Sequence, residues 1–204
     1  MSIKNIKMKV LKLIGLLFMV VVCASCEKPA PDPIYTRYLC LSFRDVSGND
    51  LVNGIGFEVW RDGGYVTGGE DDTGGIIKPE LYTLFFICED KNANRLNYMS
   101  PNPIMALQKS GSIEVPHPYM NNYDYLTFDI ITEKSKPFVE KITLKLKCSY
   151  LFGDNEVHDI VTWWERQSKG DLCYHIEYGG KEYTEIDHVK LYPYPSIAMI
   201  VLDR

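Results

Sequence analysis

Residues 141–150 read KITLKLKCSY, and this stretch decides the fold. Ile142, Leu144, Leu146, Cys148 and Tyr150 occupy one set of alternate positions; Lys141, Thr143, Lys145, Lys147 and Ser149 occupy the other. Successive side chains of an extended chain point to opposite faces, so a period of two separates an apolar face from a solvated lysine row. The expectation is a half-buried β-strand.

The same period recurs outward from it. Leu39, Leu41 and Phe43 share a face in RYLCLSFR (37–44), and Ile55, Phe57 and Val59 do so in IGFEVW (55–60). Between them DVSGNDLVNG is a cluster of turn-forming residues. LYTLFFIC (81–88) is apolar on both faces, which suits a central buried strand. Residues 89–110 turn polar and are then broken by Pro101 and Pro103, which predicts an irregular excursion. Leu126, Phe128 and Ile130 alternate again, as do Leu172, Tyr174, Ile176 and Tyr178. Gly179-Gly180 before KEYTEI marks a hairpin. Residues 197–202 form a continuous apolar run, expected to pair inside a sheet. No stretch predicts a helix longer than a turn or two, and no repeat of fixed period occurs. About nine or ten short strands with turn clusters between them predict an all-β, antiparallel β-sandwich. The strand–DVSGND–strand opening resembles immunoglobulin-like and prealbumin-like modules of bacterial surface proteins, a likeness of fold that carries no function.

The start of the chain has a different character. Lys4, Lys7, Lys9 and Lys12 form a basic segment without acids, followed by the apolar run LIGLLFMVVV at 13–22. A membrane-spanning helix needs roughly 20 apolar residues, so this run fits a signal-peptide core better. Cys23-Ala24-Ser25-Cys26 then resembles a lipobox, with small residues in the two positions before the cysteine that becomes lipidated. Cys23 itself fits less well, because bulky Val22 precedes it. The expected organisation is a signal peptide over residues 1–25, a lipid-anchored tether over 26–36 (CEKPAPDPIYT) and a sandwich body over 37–204. The body leaves room for two small subdomains dividing near 116–122. Two or three acyl chains on Cys26 would hold the chain stably, where a single one is marginal.

Composition narrows the partners. Acidic side chains outnumber basic ones, 27 to 22, and loss of the four signal lysines widens the gap. Such a surface repels nucleic acid, so no nucleic-acid partner is expected. The 14 tyrosines favour strands. Cys40, Cys88, Cys148 and Cys173 lie in the body, where an exported compartment permits disulfides. The alternation places Cys88 and Cys148 among apolar neighbours, where a free thiol packs as a small hydrophobe. It places Cys40 and Cys173 opposite the apolar faces of their strands. At least two of the four are expected to be buried and unpaired.

Three constellations could carry chemistry. Asp154, Glu156, His158 and Asp159 cluster in FGDNEVHD, and carboxylates beside an imidazole can hold a metal or exchange protons. On a strand Glu156 and His158 would share a face while Asp159 points away, so an exposed turn and edge is the plainer reading and no metal or cofactor is expected. Glu70, Asp71 and Asp72, between glycine pairs in GGEDDTGG (68–75), match no calcium-loop spacing, and a solvated loop tip is expected there. Asp45, Asn49 and Asp50 read in the same way. Trp163 and Trp164 are consecutive, so they face opposite sides of a strand, one into the core and the other available to stack on a sugar or a partner. His117, His175 and His188 lie outside any cluster. No GxSxG, HExxH or glycine-rich phosphate loop occurs, and the expectation is a non-enzymatic protein.

The segment 45–51 (DVSGNDL) and the run from Cys148-Ser149-Tyr150-Leu151-Phe152-Gly153-Asp154 through His158 to Trp163-Trp164, together with the lipobox, resemble a family of uncharacterised lipoproteins of about this length from Gram-negative gut anaerobes. The resemblance implies an outer-membrane location with the lipidated Cys26 as membrane contact, and no mechanism. Glu27, opposed by Lys28, leaves the periplasmic and cell-surface faces equally open. The leading functional expectation is a membrane-anchored binding module for a partner protein or glycan. A structural subunit of an envelope or fimbria-like assembly comes second, and a hydrolase third.

Overall fold

The computed structural model describes residues 34–96, 103–110, 123–133, 138–167, 170–188 and 195–204. The signal segment, Cys26, most of the tether, His117 and the 116–122 division lie outside them. Strands β1 (Ile34–Asp45), β2 (Phe57–Arg61), β3 (Gly64–Thr67), β4 (Gly74–Ile77), β7 (Met105–Gln108), β8 (Tyr125–Glu133), β13 (Asp187–His188) and β14 (Ser196–Leu202) make an eight-stranded sheet in the order β13-β14-β1-β8-β7-β4-β2-β3. Strands β5 (Thr83–Glu89), β6 (Arg95–Leu96), β9 (Lys141–Lys147), β10 (His158–Gln167), β11 (Gly170–Tyr178) and β12 (Lys181–Tyr183) make a six-stranded sheet in the order β12-β11-β10-β9-β5-β6. The protein is an all-β sandwich. One pairing departs from the antiparallel expectation: β1 runs parallel to β14, Leu39 opposite Ser196 and Phe43 opposite Ile200.

The alternation read from the sequence builds the core. Leu39, Leu41 and Phe43 of β1 pack with Ile142, Leu144 and Leu146 of β9, all fully buried. Each such side chain contributes about 1.5–3 kcal/mol relative to its exposed state. β1 begins at Ile34, so the end of the expected tether is already strand. On the other face of β1, Cys40 and Ser42 are also buried, because these small side chains lie between Ile197 and Met199 of β14 and the residues of β8.

Several elements correct the sequence reading. β9 stops at Lys147, and Ser149–Phe152 forms a single helical turn, α1, closed by Gly153 at φ 79°. That turn drops Leu151 and Phe152 into the core and swings Tyr150 out, where its hydroxyl donates to the Asn53 carbonyl at 2.6 Å. The lysine row is half-covered rather than free. Lys141 pairs with Glu89 at 3.1 Å, Lys145 with Asp159 at 2.6 Å, and Thr143 is buried. β5 is not a central buried strand: its outer neighbour β6 has two residues, and Phe85 is left exposed. In β11 the register slips, Trp163 facing His175 but Trp164 facing Cys173, so Tyr174 is an extra residue. Such a bulge reverses the alternation. Cys173 therefore points into the core and Tyr174 outward, the opposite of the expectation.

The two sheets are also joined through an ion pair. Arg37, in phase with Leu39, enters the core from β1 and meets Asp171 of β11 at 2.6 Å, both side chains almost wholly buried. Desolvation lowers the Arg37 pKa, and Asp171 opposes that shift. Arg37 lies over the Trp164 ring, 5.7 Å from its centroid, and donates to the Val139 carbonyl at 3.3 Å. All four body cysteines are buried and free. Burial pushes the thiols of Cys40 and Cys173 up to about 12 and that of Cys88 up to about 11, so they stay protonated.

Candidate functional site

The β2–β3 hairpin turns on Asp62-Gly63, both at positive φ (50° and 84°). A two-residue connection of that kind matches the twist of the flanking strands. Phe57 is buried and Val59 packs against the core, so Glu58 and Trp60 face outward. Trp60 sits directly across from Tyr65. The rings meet edge to face with centroids 5.0 Å apart, and they are 63% and 52% exposed. Val66, paired with Val59, is exposed on the opposite face of the hairpin.

Next to these rings lies an open groove of about 400 Å³, bounded by Glu58, Trp60, Tyr65, Gly74, Ala106 and Gln108. Its floor is backbone and small side chains. Gly74 has φ 149°, and a Cβ there would lie 2.2 Å from the Leu107 carbonyl oxygen; one on Gly75 would lie 2.3 Å from that of Glu58. Glycine is required at both positions by the approach of β2 and β7 to β4, and on the outer face the missing side chain of Gly74, opposite Gln108, leaves the groove open. Gly74-Gly75 is therefore strand rather than the end of a loop. The tip before it is tied down: Asp72 accepts from the Gly69 amide at 2.7 Å and pairs with Arg61, while Lys109 donates to the carbonyls of Gly69 and Glu70 at 3.0 Å each. The hydrogen bond from Gly69 holds the Asp72 carboxyl below its ordinary pKa.

The acidic cluster on the other sheet is organised differently. His158 Nε2 is 2.9 Å from Asp154 Oδ1, and its Nδ1 is 3.0 Å from the Tyr178 hydroxyl. Phe152 stacks on the imidazole at 3.8 Å. Glu156 stays in the turn before β10 and contributes only its amide, which donates to Asp154 at 3.0 Å. Asp159 is taken by Lys145. The hydrogen bond to His158 lowers the Asp154 pKa, and burial raises that of Tyr178. Both imidazole nitrogens are engaged, so the cluster clamps α1 and its turn against β10 and β11.

Asp45 is consumed by its own loop, accepting from the amides of Ser47 and Asn49 at 2.8 and 2.9 Å and from the Asn49 side chain at 2.7 Å. Asp90 repeats the arrangement with Asn92 and Asn94. Asp50 accepts from the amides of Val52 and Asp124. Among the described residues no three His, Cys, Asp or Glu side chains converge as a metal site. Trp164 is 1% exposed and belongs to the core; Trp163 is half-buried on the outer face of the six-stranded sheet, edge-on to His175 at 4.6 Å. His188 lies 3.4 Å from Ser196 Oγ, and burial lowers its pKa.

Sequence reading passed over Trp60, Tyr65 and Gln108. Two signals point to the first pair: Trp60 is out of phase with Phe57 and Val59, and Asp62-Gly63 is a strong hairpin marker. Comparison with protein-family models, with curated proteins and with solved structures returns no match. The fold and its geometry define a two-sheet β-sandwich with an exposed aromatic groove on its larger sheet.

Proposed function

We propose that the chain is an exported, lipid-anchored protein of the outer membrane, non-enzymatic, that binds glycan in the Trp60–Tyr65 groove. One observation carries the reading: Trp60 and Tyr65, paired across the hairpin, form an exposed aromatic surface beside an open trough. Single exposed hydrophobics are ordinary, but contiguous ones mark interaction surfaces. Aromatic rings take the C–H faces of pyranoses, and Glu58 and Gln108 supply the carboxylate and amide that hydroxyl groups need. A backbone floor admits a flat ring. The anchor rests on the basic segment, the apolar run and the small residues before Cys26.

The test is calorimetric titration of the protein with maltohexaose, cellohexaose, mannohexaose and xylohexaose. At least one should bind, and Trp60→Ala should weaken it tenfold or more; no binding by any, or equal binding by the variant, contradicts the assignment. Separately, Cys26→Ser in the full chain should move the protein from the detergent phase to the aqueous phase in a detergent phase split. A second reading has its own support. β3 is an edge strand with exposed side chains from Tyr65 to Thr67, and a free edge can accept a strand from another chain in an envelope assembly. Self-association abolished by Val66→Pro would favour it.

A further inference from the structure

Among the described residues that line the groove beside Trp60, Glu58 alone carries a formal charge. It sits two residues before Trp60 on the same outward face of β2, opposite Thr67 of β3 and Ile76 of β4. Two residues of strand span about 7 Å, so one sugar unit stacked on the indole reaches both. The other carboxylates of this kind are occupied: Asp72 by the Gly69 amide, Asp154 by His158, Asp159 by Lys145. Glu58 is half-buried, and its carboxylate makes no hydrogen bond or ion pair with a described residue. The bases of the neighbourhood are turned away or engaged. Arg61, in phase with Val59, pairs with Asp72, and Lys109 donates to the carbonyls of Gly69 and Glu70. Lys78 lies over Gly56, outside the groove's lining.

Two features of different kinds therefore favour the same ligand charge. An ionised carboxylate without a counter-charge attracts a cation, and does so more strongly where low-dielectric walls limit water. The faces of indole and phenol rings carry negative partial charge and attract an ammonium within about 6 Å, and Trp60 and Tyr65 stand exposed in the same trough. A neutral pyranose uses the rings through its C–H face. A pyranose with an ammonium in place of one hydroxyl uses the rings and Glu58 together. A uronate is repelled by both.

Resting on the glycan reading of this groove, we infer that it selects amino sugars, oligosaccharides of an unacetylated 2-amino-2-deoxyhexose, over neutral and acidic ones. The probes are three β-1,4-linked hexamers that differ only in the substituent at C2: cellohexaose with a hydroxyl, the N-acetylglucosamine hexamer with an acetamide, and the glucosamine hexamer with an ammonium. Calorimetric titration is run at low salt and about pH 5.5, where the amines are cationic and a carboxylate stays ionised. The glucosamine hexamer should bind at least tenfold more tightly than either of the others. Glu58→Gln should bring that ratio to within about twofold, and raising the salt on the unaltered protein should erode it as well. Trp60→Ala should weaken the glucosamine hexamer at least tenfold. Hexalysine, which has the charge without the pyranose, should bind at least tenfold more weakly than the glucosamine hexamer. Equal binding of the three hexamers, or a preference that survives both Glu58→Gln and high salt, would overturn the inference and leave the glycan reading in place. A glucosamine hexamer held equally by Trp60→Ala, or matched by hexalysine, would also overturn it, placing the attraction on the acidic surface at large. Binding of none of the hexamers would contradict the glycan reading and this inference with it.

Discussion

The three tryptophans fall in two regions that treat the same side chain in opposite ways. Trp164 on β10 is enclosed: its indole N–H donates to Thr162 Oγ1 at 2.8 Å, and Thr162 passes a hydrogen bond to the Ile142 carbonyl at 2.9 Å. Arg37 covers its ring and Glu140 accepts from its amide at 2.8 Å. Trp60 on β2 has an edge contact with Tyr65 and is otherwise largely in water. A buried indole needs a partner for its N–H as well as apolar contact, and β10 supplies both. The hairpin supplies neither the cover nor the bulk. The difference separates an aromatic that holds the sandwich together from one that is free to meet something else.

The comparison can be broken by substitution. Trp164→Ala should have the largest effect, a loss of about 3–5 kcal/mol in denaturant unfolding, since it empties a large core site. A loss under ~1 kcal/mol would show that the core does not depend on this ring. Asp171→Ala should cost about 3 kcal/mol or more, because it leaves the Arg37 guanidinium buried beside Trp164 without its counter-charge. A double variant that also replaces Arg37 with Met should recover much of that loss, and failure to recover would contradict the uncompensated-charge explanation. Trp163→Ala, which removes a half-buried ring touching His175, should cost only about 1 kcal/mol.

What the sequence makes legible divides along the same line. The period of two in KITLKLK and in RYLCLSF predicts the strands and their buried faces, because a sheet with one wet face leaves that signature. The bulge at Tyr174 leaves none: an extra residue changes phase without changing composition, and so Leu172 and Cys173 exchange faces. Arg37 is in phase with Leu39, yet a charge in the core can be accepted only when Asp171, distant in the chain, is known to meet it. The helical turn after Cys148 is hidden for a similar reason, since SYLF continues the strand alternation until Gly153 ends it. The groove was half-legible. The phase of Trp60 and the Asp62-Gly63 turn were present in the sequence, but Gly74-Gly75 reads as loop, and only strand pairing reveals that β2 and β7 approach too closely for a side chain there.

Binding and stability measured together on Trp60→Ala and Trp163→Ala test the central claim most directly. Calorimetry against the four oligosaccharides should show affinity reduced at least tenfold in Trp60→Ala, while its unfolding free energy stays within about 0.5 kcal/mol of the parent protein. Trp163→Ala should bind as the parent does. Retained glycan binding in Trp60→Ala, with binding lost in Trp163→Ala, would place recognition on the smaller sheet and contradict the assignment of the groove.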